Sequence, residues 1–260
     1  MNISPVLQGL FAGLAPWLQG CPARPDTRWL AQQITDAALG TRSGQRLVLQ
    51  PPRADGLGYE ERIWRTGQVE TRPDNWHDFF NGLVWLAYPR AKAALNARHM
   101  ACHTPGQRGA ARDAMTHLDE CGILVASSDP ELLELIRGFQ WKRLFWEERA
   151  RLPRHLAFHV FGHATFESLL KPHRGLTAKA VLYQVPRDWH DLSLSARRAD
   201  LDRRLAADID AGCYCRPRDL QPLPLLGIPG LVAENAGAAY YDDAWQFRSG
   251  RRDRPAPAGV

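Results

Sequence analysis

The stretch TRPDNWHDFFNGLVWLAYPRAKAALNARH, residues 71–99, decides how the rest of the chain is read. Asn75 follows Pro73-Asp74 and precedes an apolar-periodic run, which marks it as a helix N-cap. At 100° per residue, Trp76, Phe79, Phe80, Leu83 and Ala87 fall on one stripe, which is predicted to face the core. His77, Asn81, Trp85 and Tyr88 fall on the opposite side, with Asp78 beside Trp85. A solvated face does not usually carry Trp and Tyr together. Both faces are therefore expected to touch something: another part of the protein, a ligand or a partner. Pro89 interrupts the run and a second helix follows.

Asp78 has two readings. With Asn75 as N-cap it stands at N3, where a carboxylate caps backbone amides and suits the helix dipole. The other reading makes it a site acid. His77 and Asp78 are adjacent and project ~100° apart, so they do not easily share one metal ion; His77 and Asn81, one turn apart, can.

Working outward, residues 4 to 18 read as a short apolar helix and 27 to 39 as an amphipathic one, with Asp26 or Thr27 as N-cap and Gly40 as stop. RLVLQ (46–50), YEERIW (59–64) and QVETR (68–72) read as short strands. Helix is expected over 75–118, broken at Pro89 and near Pro105-Gly106. It is expected again over 129–150, 163–171 and 194–211. GILVAS (122–127), HLAFHVF (155–161) and KAVLYQV (179–185) read as strands. Alternation along 155–161 turns Leu156, Phe158 and Val160 one way, and His155 and His159 the other, toward the surface. From 216 the Pro/Gly-rich RPRDLQPLPLLGIPG reads as an extended packed arm. The fold class this predicts is α+β: a helix-rich single domain over 1–247, with 1–56 as an N-terminal extension packed on it. Residues 248–260 are expected to form a disordered basic tail.

The 260 residues are 45% hydrophobic, enough for a real core. The net charge of +5 sits partly in RSGRRDR near the C-terminus, and no concentrated basic stripe signals nucleic acid. No window approaches the ~20 apolar residues of a transmembrane helix. Leu18-Gln19-Gly20-Cys21 superficially resembles a lipoprotein cleavage site, but there is no basic n-region, and Gln8 and Pro16 interrupt the apolar run. The five cysteines are odd in number and irregular in spacing, so a reduced cytoplasmic protein is expected. P-loop, Rossmann, G-x-S-x-G and H-E-x-x-H patterns are absent.

Two other segments carry chemistry. Asp113, His117 and Glu120 align on one stripe opposite Ala111, Ala114, Met115 and Leu118, which reads as a solvated face; Asp119 lies nearer the apolar edge. His163 and Glu167 stand at i, i+4 beside Phe166 and Leu170, where they can hydrogen-bond or supply two metal ligands.

NWHDFFNGLVWLAYPRAKAALNARH, RDAMTHLDECG, FGHATFESLLKPHRGLTAKA and LPLLGIPG, in that order, resemble a bacterial family known only as domain of unknown function 3025. The resemblance runs from about 57 to 247. It implies a single folding unit and no particular activity. Gly82 stands where the family favours a small residue such as Ala, and His117 where an apolar one is common, which argues against His117 as a required group.

Two function classes follow. In one the protein is a non-catalytic binding or adaptor protein that uses the Trp85/Tyr88 side of the 75–88 helix. In the other it is a metal-dependent hydrolase. His77, Asp78, His163 and Glu167 would then be catalytic, with one divalent ion on His77, His163 and Glu167, and Arg72, Asn81, Trp85 and Tyr88 around the substrate.

Overall fold

The structure, a computed structural model, describes residues 7–102 and 109–251. The N-terminal arm forms two short helices, α1 (Gln8–Phe11) and α2 (Ala15–Leu18), joined by a 3₁₀ turn. Helix α3 (Thr27–Asp36) starts at Asp26, whose carboxylate accepts from the Arg28 and Trp29 amides. Strand β1 (Val48–Gln50), helix α4 (Tyr59–Thr66) and strand β2 (Gln68–Glu70) then form a parallel β–α–β unit.

Residues 59–64, expected as a strand, are therefore helical. YEERIW is short enough to satisfy either period. Helix wins because Glu60 and Glu61 sit in the first turn, Arg62 and Ile63 are buried together, and Gly67 closes the last turn at φ 71°. A Cβ at Gly67 would lie 2.0 Å from the Arg46 carbonyl oxygen, so only glycine lets the helix end against the start of β1.

Helices α5 (Trp76–Ala87), α6 (Pro89–Ala101) and α7 (Ala110–Cys121) follow, and α7 runs without a loop into β3 (Gly122–Ser127). After α8 (Pro130–Arg137) the expected 129–150 helix is interrupted: Phe139 takes a left-handed conformation, and the chain resumes as a π turn over Arg143–Glu147. Next come α9 (Leu152–His155), β4 (Leu156–Val160), α10 (His163–Leu170), β5 (Thr177–Gln184), α11 (Leu194–Asp210) and β6 (Gln221–Pro224). The main sheet has the order β4-β3-β5-β6, with β3 antiparallel to β4 and parallel to β5. All six residues of β3 are buried, as in a strand covered on both faces. One hydrophobic cluster runs from Leu7 to Phe247, so the 216–247 arm is part of the core. The architecture is α+β. Among the described residues, no helix is long and apolar enough to cross a membrane.

The tail expected from 248 onward falls mainly on 252–260, outside the described residues. Arg248 and Arg251 are exposed but tied to the fold: Trp141 Nε1 donates to the Arg248 carbonyl at 2.7 Å, and Arg251 donates to the Leu220 carbonyl at 3.2 Å.

Two packing features position the site. Phe80 of α5 stacks on Phe166 of α10 at 5.7 Å, and Phe11 packs against both, which fixes the two helices one turn away from His77 and His163. Lys92 of α6 is buried and joins three helices. Its ammonium donates to Asn81 Oδ1 of α5 at 2.9 Å and to Asp119 Oδ1 of α7 at 2.5 Å, and it lies 5.5 Å from the Trp85 ring centroid. Burial alone would push the Asp119 carboxyl up; Lys92, with help from His163 and His99, holds it below the ordinary carboxylate range.

His159, expected at the surface, is only 3% exposed. The far face of β4 is not open: the N-terminal arm packs against the strand, and the Trp189 ring lies 6.0 Å from the imidazole. Burial, reinforced by Arg197 and Arg198, pushes His159 down to about 4.

Two outcomes are expected. Between pH 6.5 and 4 the unfolded chain protonates residue 159 and the folded one does not, so stability falls with pH across that window, by up to about 3 kcal/mol from this residue. His159→Gln should reduce the pH slope of urea-unfolding stability over the same range, with His163 supplying part of what remains; an unchanged slope would contradict the burial argument. Lys92→Met leaves a buried carboxylate unpaired and should cost about 3–5 kcal/mol, most of it regained in Lys92→Met/Asp119→Leu, as read by urea midpoints.

Candidate metal centre

The site lies at one end of the main sheet, where α7 enters β3 and β4 leaves for α10. The Phe161 and Gly162 amides both donate to the Gly122 carbonyl, at 3.0 and 2.8 Å. A Cβ on Gly162 would lie 2.3 Å from the Gly122 nitrogen and 2.4 Å from the Glu120 carbonyl oxygen. The bare glycine lets the first turn of α10 press on the last turn of α7, and His163 comes to rest beside Glu120. Helix α5, held on α10 by the phenylalanine stack, brings in His77 from its first turn.

His77 Nε2 and His163 Nε2 are 3.0 Å apart, with the rings at 77°. Glu120 Oε2 is 3.5 Å from the first atom's partner on His163 and 3.8 Å from His77 Nε2. Behind each imidazole stands a carboxylate. Glu167 Oε2 is 3.0 Å from His77 Nδ1, and Asp119 Oδ2 is 3.8 Å from His163 Nδ1. An ionised carboxylate only accepts, so His77 donates from Nδ1 to Glu167, and its neutral form turns the Nε2 lone pair toward the centre. The same tautomer is favoured at His163 by Asp119. With both imidazoles in that tautomer, two lone pairs and a carboxylate oxygen face one point, where a cation would replace the hydrogen bond that the two Nε2 atoms otherwise share at 3.0 Å. The three separations bracket the ~3.3 Å edge expected of ligands about a tetrahedral zinc ion. Burial pushes His163 down to about 4, against the opposing effect of Asp119, so this imidazole stays neutral as a ligand must. Burial also raises the Glu120 carboxyl, partly offset by His77.

The centre opens onto a cavity of about 320 Å³. Its walls come from α4 (Tyr59, Glu60), β2 and the turn after it (Glu70, Arg72), α5 (His77, Asp78, Asn81), α6 (His99), α7 (Arg112, Thr116, Asp119, Glu120) and α10 (His163). The carboxylates other than Glu120 already have partners. Asp78 accepts from Arg72 three times, through Nε, Nη2 and the backbone amide, each at 2.8 Å. Asp119 is held by Lys92, Glu70 meets Arg62 Nε at 2.8 Å, and Glu60 accepts from Asn96 at 2.7 Å. Tyr59 is driven well above the ordinary phenol range, chiefly by burial, and stays neutral. Its oxygen accepts from Asn81 at 2.6 Å, which leaves its own proton to offer.

Among the residues singled out from the sequence, His77 and His163 meet at the centre, while Arg72, Asp78 and Asn81 line the cavity. Glu167 binds the outer nitrogen of His77 and is not among the cavity-lining residues. The carboxylate beside both Nε2 atoms is instead Glu120, read from the sequence as part of a solvated stripe. Asp78 combines its two readings: its amide is capped by Asn75 Oδ1 at 2.9 Å, and its carboxylate clamps Arg72. Trp85 and Tyr88 are corrected. They are 1% and 0% exposed, enclosed in the core, and present no recognition surface. Lys92 on the helix above fills the space that the polar-aromatic side of α5 implied.

Sequence reasoning passed over Lys92, Tyr59 and Arg112. Lys92 had a signal: a lone lysine in the Ala-rich stretch RAKAALNA, on a helix facing one that carries Asn81. No curated protein and no solved structure matches the chain. Residues 46–251 match the family described as protein of unknown function DUF3025, and the chain belongs to that family.

Proposed function

We propose that this protein is a metal-dependent hydrolase with one divalent first-row ion, zinc being the common choice for two imidazoles and a carboxylate, on His77, His163 and Glu120. The observation that carries the reading is the convergence of two Nε2 atoms and a carboxylate oxygen within 4.8 Å of one another, at the edge of a cavity. Two imidazoles and one carboxylate leave a fourth position for water, the pattern of a catalytic ion, where a closed set of four marks a structural one. Held by His77, His163 and Glu120, a divalent ion would supply Lewis acidity, bringing the pKa of a bound water toward about 7. The hydrolysis it would support is one in which water's oxygen bonds to the electrophilic centre as the bond to the leaving group breaks, with the proton released from water ending on the leaving group and the other staying with the new hydroxyl.

The remaining residues have defined tasks. Glu167 and Asp119 orient the imidazoles and strengthen them as ligands. Tyr59, fixed by Asn81, can donate its proton to the substrate oxygen that gains charge. Asp78 and Arg72 act through each other by bracing the wall beside His77. The adaptor reading required an exposed Trp85/Tyr88 surface and has no support in the buried positions of those rings.

Metal analysis of the purified full-length chain tests this. The expected result is one ion per chain in the wild type and in Asp78→Asn, and none in His77→Ala, His163→Ala or Glu120→Ala. Glu167→Gln should keep the site with metal affinity about 10–100-fold weaker. A wild type that binds no zinc, nickel or cobalt in equilibrium dialysis would defeat the reading.

A further inference from the structure

Charge bookkeeping in the cavity singles out one residue. Arg72 is clamped by Asp78 and Lys92 by Asp119. Arg112 lines the same cavity, and among the described residues no carboxylate pairs with its guanidinium. It stands on α7 with Thr116 and Glu120 at successive i+4 positions, so the three share one stripe of the helix, and all three line the cavity. At 1.5 Å per residue, Arg112 lies ~12 Å along the axis from the carboxylate at the metal centre.

Its local setting is also positive. Arg112 is in the first turn of α7, where the helix dipole already presents positive charge, and Gly109 at the N-cap offers no side-chain acceptor. Asp113, the acid of that turn, projects ~100° away and does not line the cavity. A guanidinium beside an uncapped helix start is an unfavourable arrangement that a bound oxyanion reverses.

We propose that the Arg112 guanidinium is the substrate's anion anchor: the hydrolase acts on a small molecule bearing a carboxylate or phosphate group about two helical turns from the bond that is cut, while the Thr116 hydroxyl, donated to the Arg112 carbonyl at 3.0 Å, belongs to the helix. The substrate class rests on the metal-hydrolase reading, but the anion site does not require the ion. A planar guanidinium takes either oxyanion through two parallel hydrogen bonds, and lysine cannot reproduce that fork. The proposal thus separates two ends of the cavity, one for binding an anion and one for hydrolysis.

The test titrates inorganic phosphate and, separately, acetate into the full-length protein, metal-free and zinc-loaded, with ionic strength held constant by chloride and binding followed by amide chemical shifts. Expected is saturable binding of at least one anion to the metal-free wild type, with shifts centred on residues 110–116. Arg112→Gln should weaken it at least tenfold, Arg112→Lys should recover only part, and Arg112→Gln should bind zinc as the wild type does. Which anion binds more tightly identifies the substrate group. If neither anion binds the metal-free wild type, or Arg112→Gln binds as tightly as wild type, the anchor is wrong. Zinc content separates the two failures. A chain that takes up no zinc but shows Arg112-dependent anion binding keeps the anchor and loses the metal reading; a zinc-binding chain with Arg112-independent anion binding does the reverse. Thermal melts of each variant identify a loss caused by unfolding; if Arg112→Gln unfolds, Arg112→Lys serves as the second probe, with weakened anion binding expected and unaltered binding counting against the anchor.

Discussion

The ammonium of Lys92 is the point on which the arrangement of α5, α6 and α7 depends. A buried lysine is tolerated only where its charge is matched and its protons are used. Here Asp119 matches the charge, Asn81 takes a second hydrogen bond, and the face of Trp85 covers a third side. The same contacts run on into the site. Asp119 stands behind His163, and Asn81 fixes the Tyr59 hydroxyl. One cation therefore ties the packing of three helices to the orientation of groups on opposite walls of the cavity.

The site itself is made by two chain junctions. Helix α7 passes directly into β3, and β4 returns antiparallel beside it and turns immediately into α10. Backbone hydrogen bonds to Gly122 clamp the junctions together, and glycine at 162 permits an approach no side chain would allow. The donors are thus carried on helix ends anchored to the most buried strand of the sheet, while Tyr59 and Glu60 come from the small β–α–β unit on the opposite wall.

Much of this was legible in the sequence. The stripe of Trp76, Phe79, Phe80, Leu83 and Ala87 gave the core face of α5, and the need for cover on its other face followed from Trp85 and Tyr88. What covers that face was not legible, because the answer is a lysine eleven residues from Asn81 across a proline break. His77 and His163 could be singled out by local pattern, but Glu120 could not. Its helical stripe with Asp113 and His117 has the polarity of a solvated surface, and only the position of α10 turns part of that stripe inward. His159 failed for a related reason: period-2 alternation describes a strand with one open face, and β4 has packing on both. YEERIW shows the remaining limit, since six residues fit a strand or a helix and the choice lay with Gly67 and the burial of Arg62.

The spacing of the three donors has a further meaning. Each is separated from the next by about 43 residues of chain and is supplied by a different helix, so no local segment can preassemble even two of them. Chelation by this set is possible only for a chain whose α5, α7 and α10 have already docked. An ion held there would act as a clasp across about a third of the chain's contour length, adding its binding free energy to the folded state and none to the unfolded one. Occupancy would then report on completed tertiary assembly as well as on catalytic readiness.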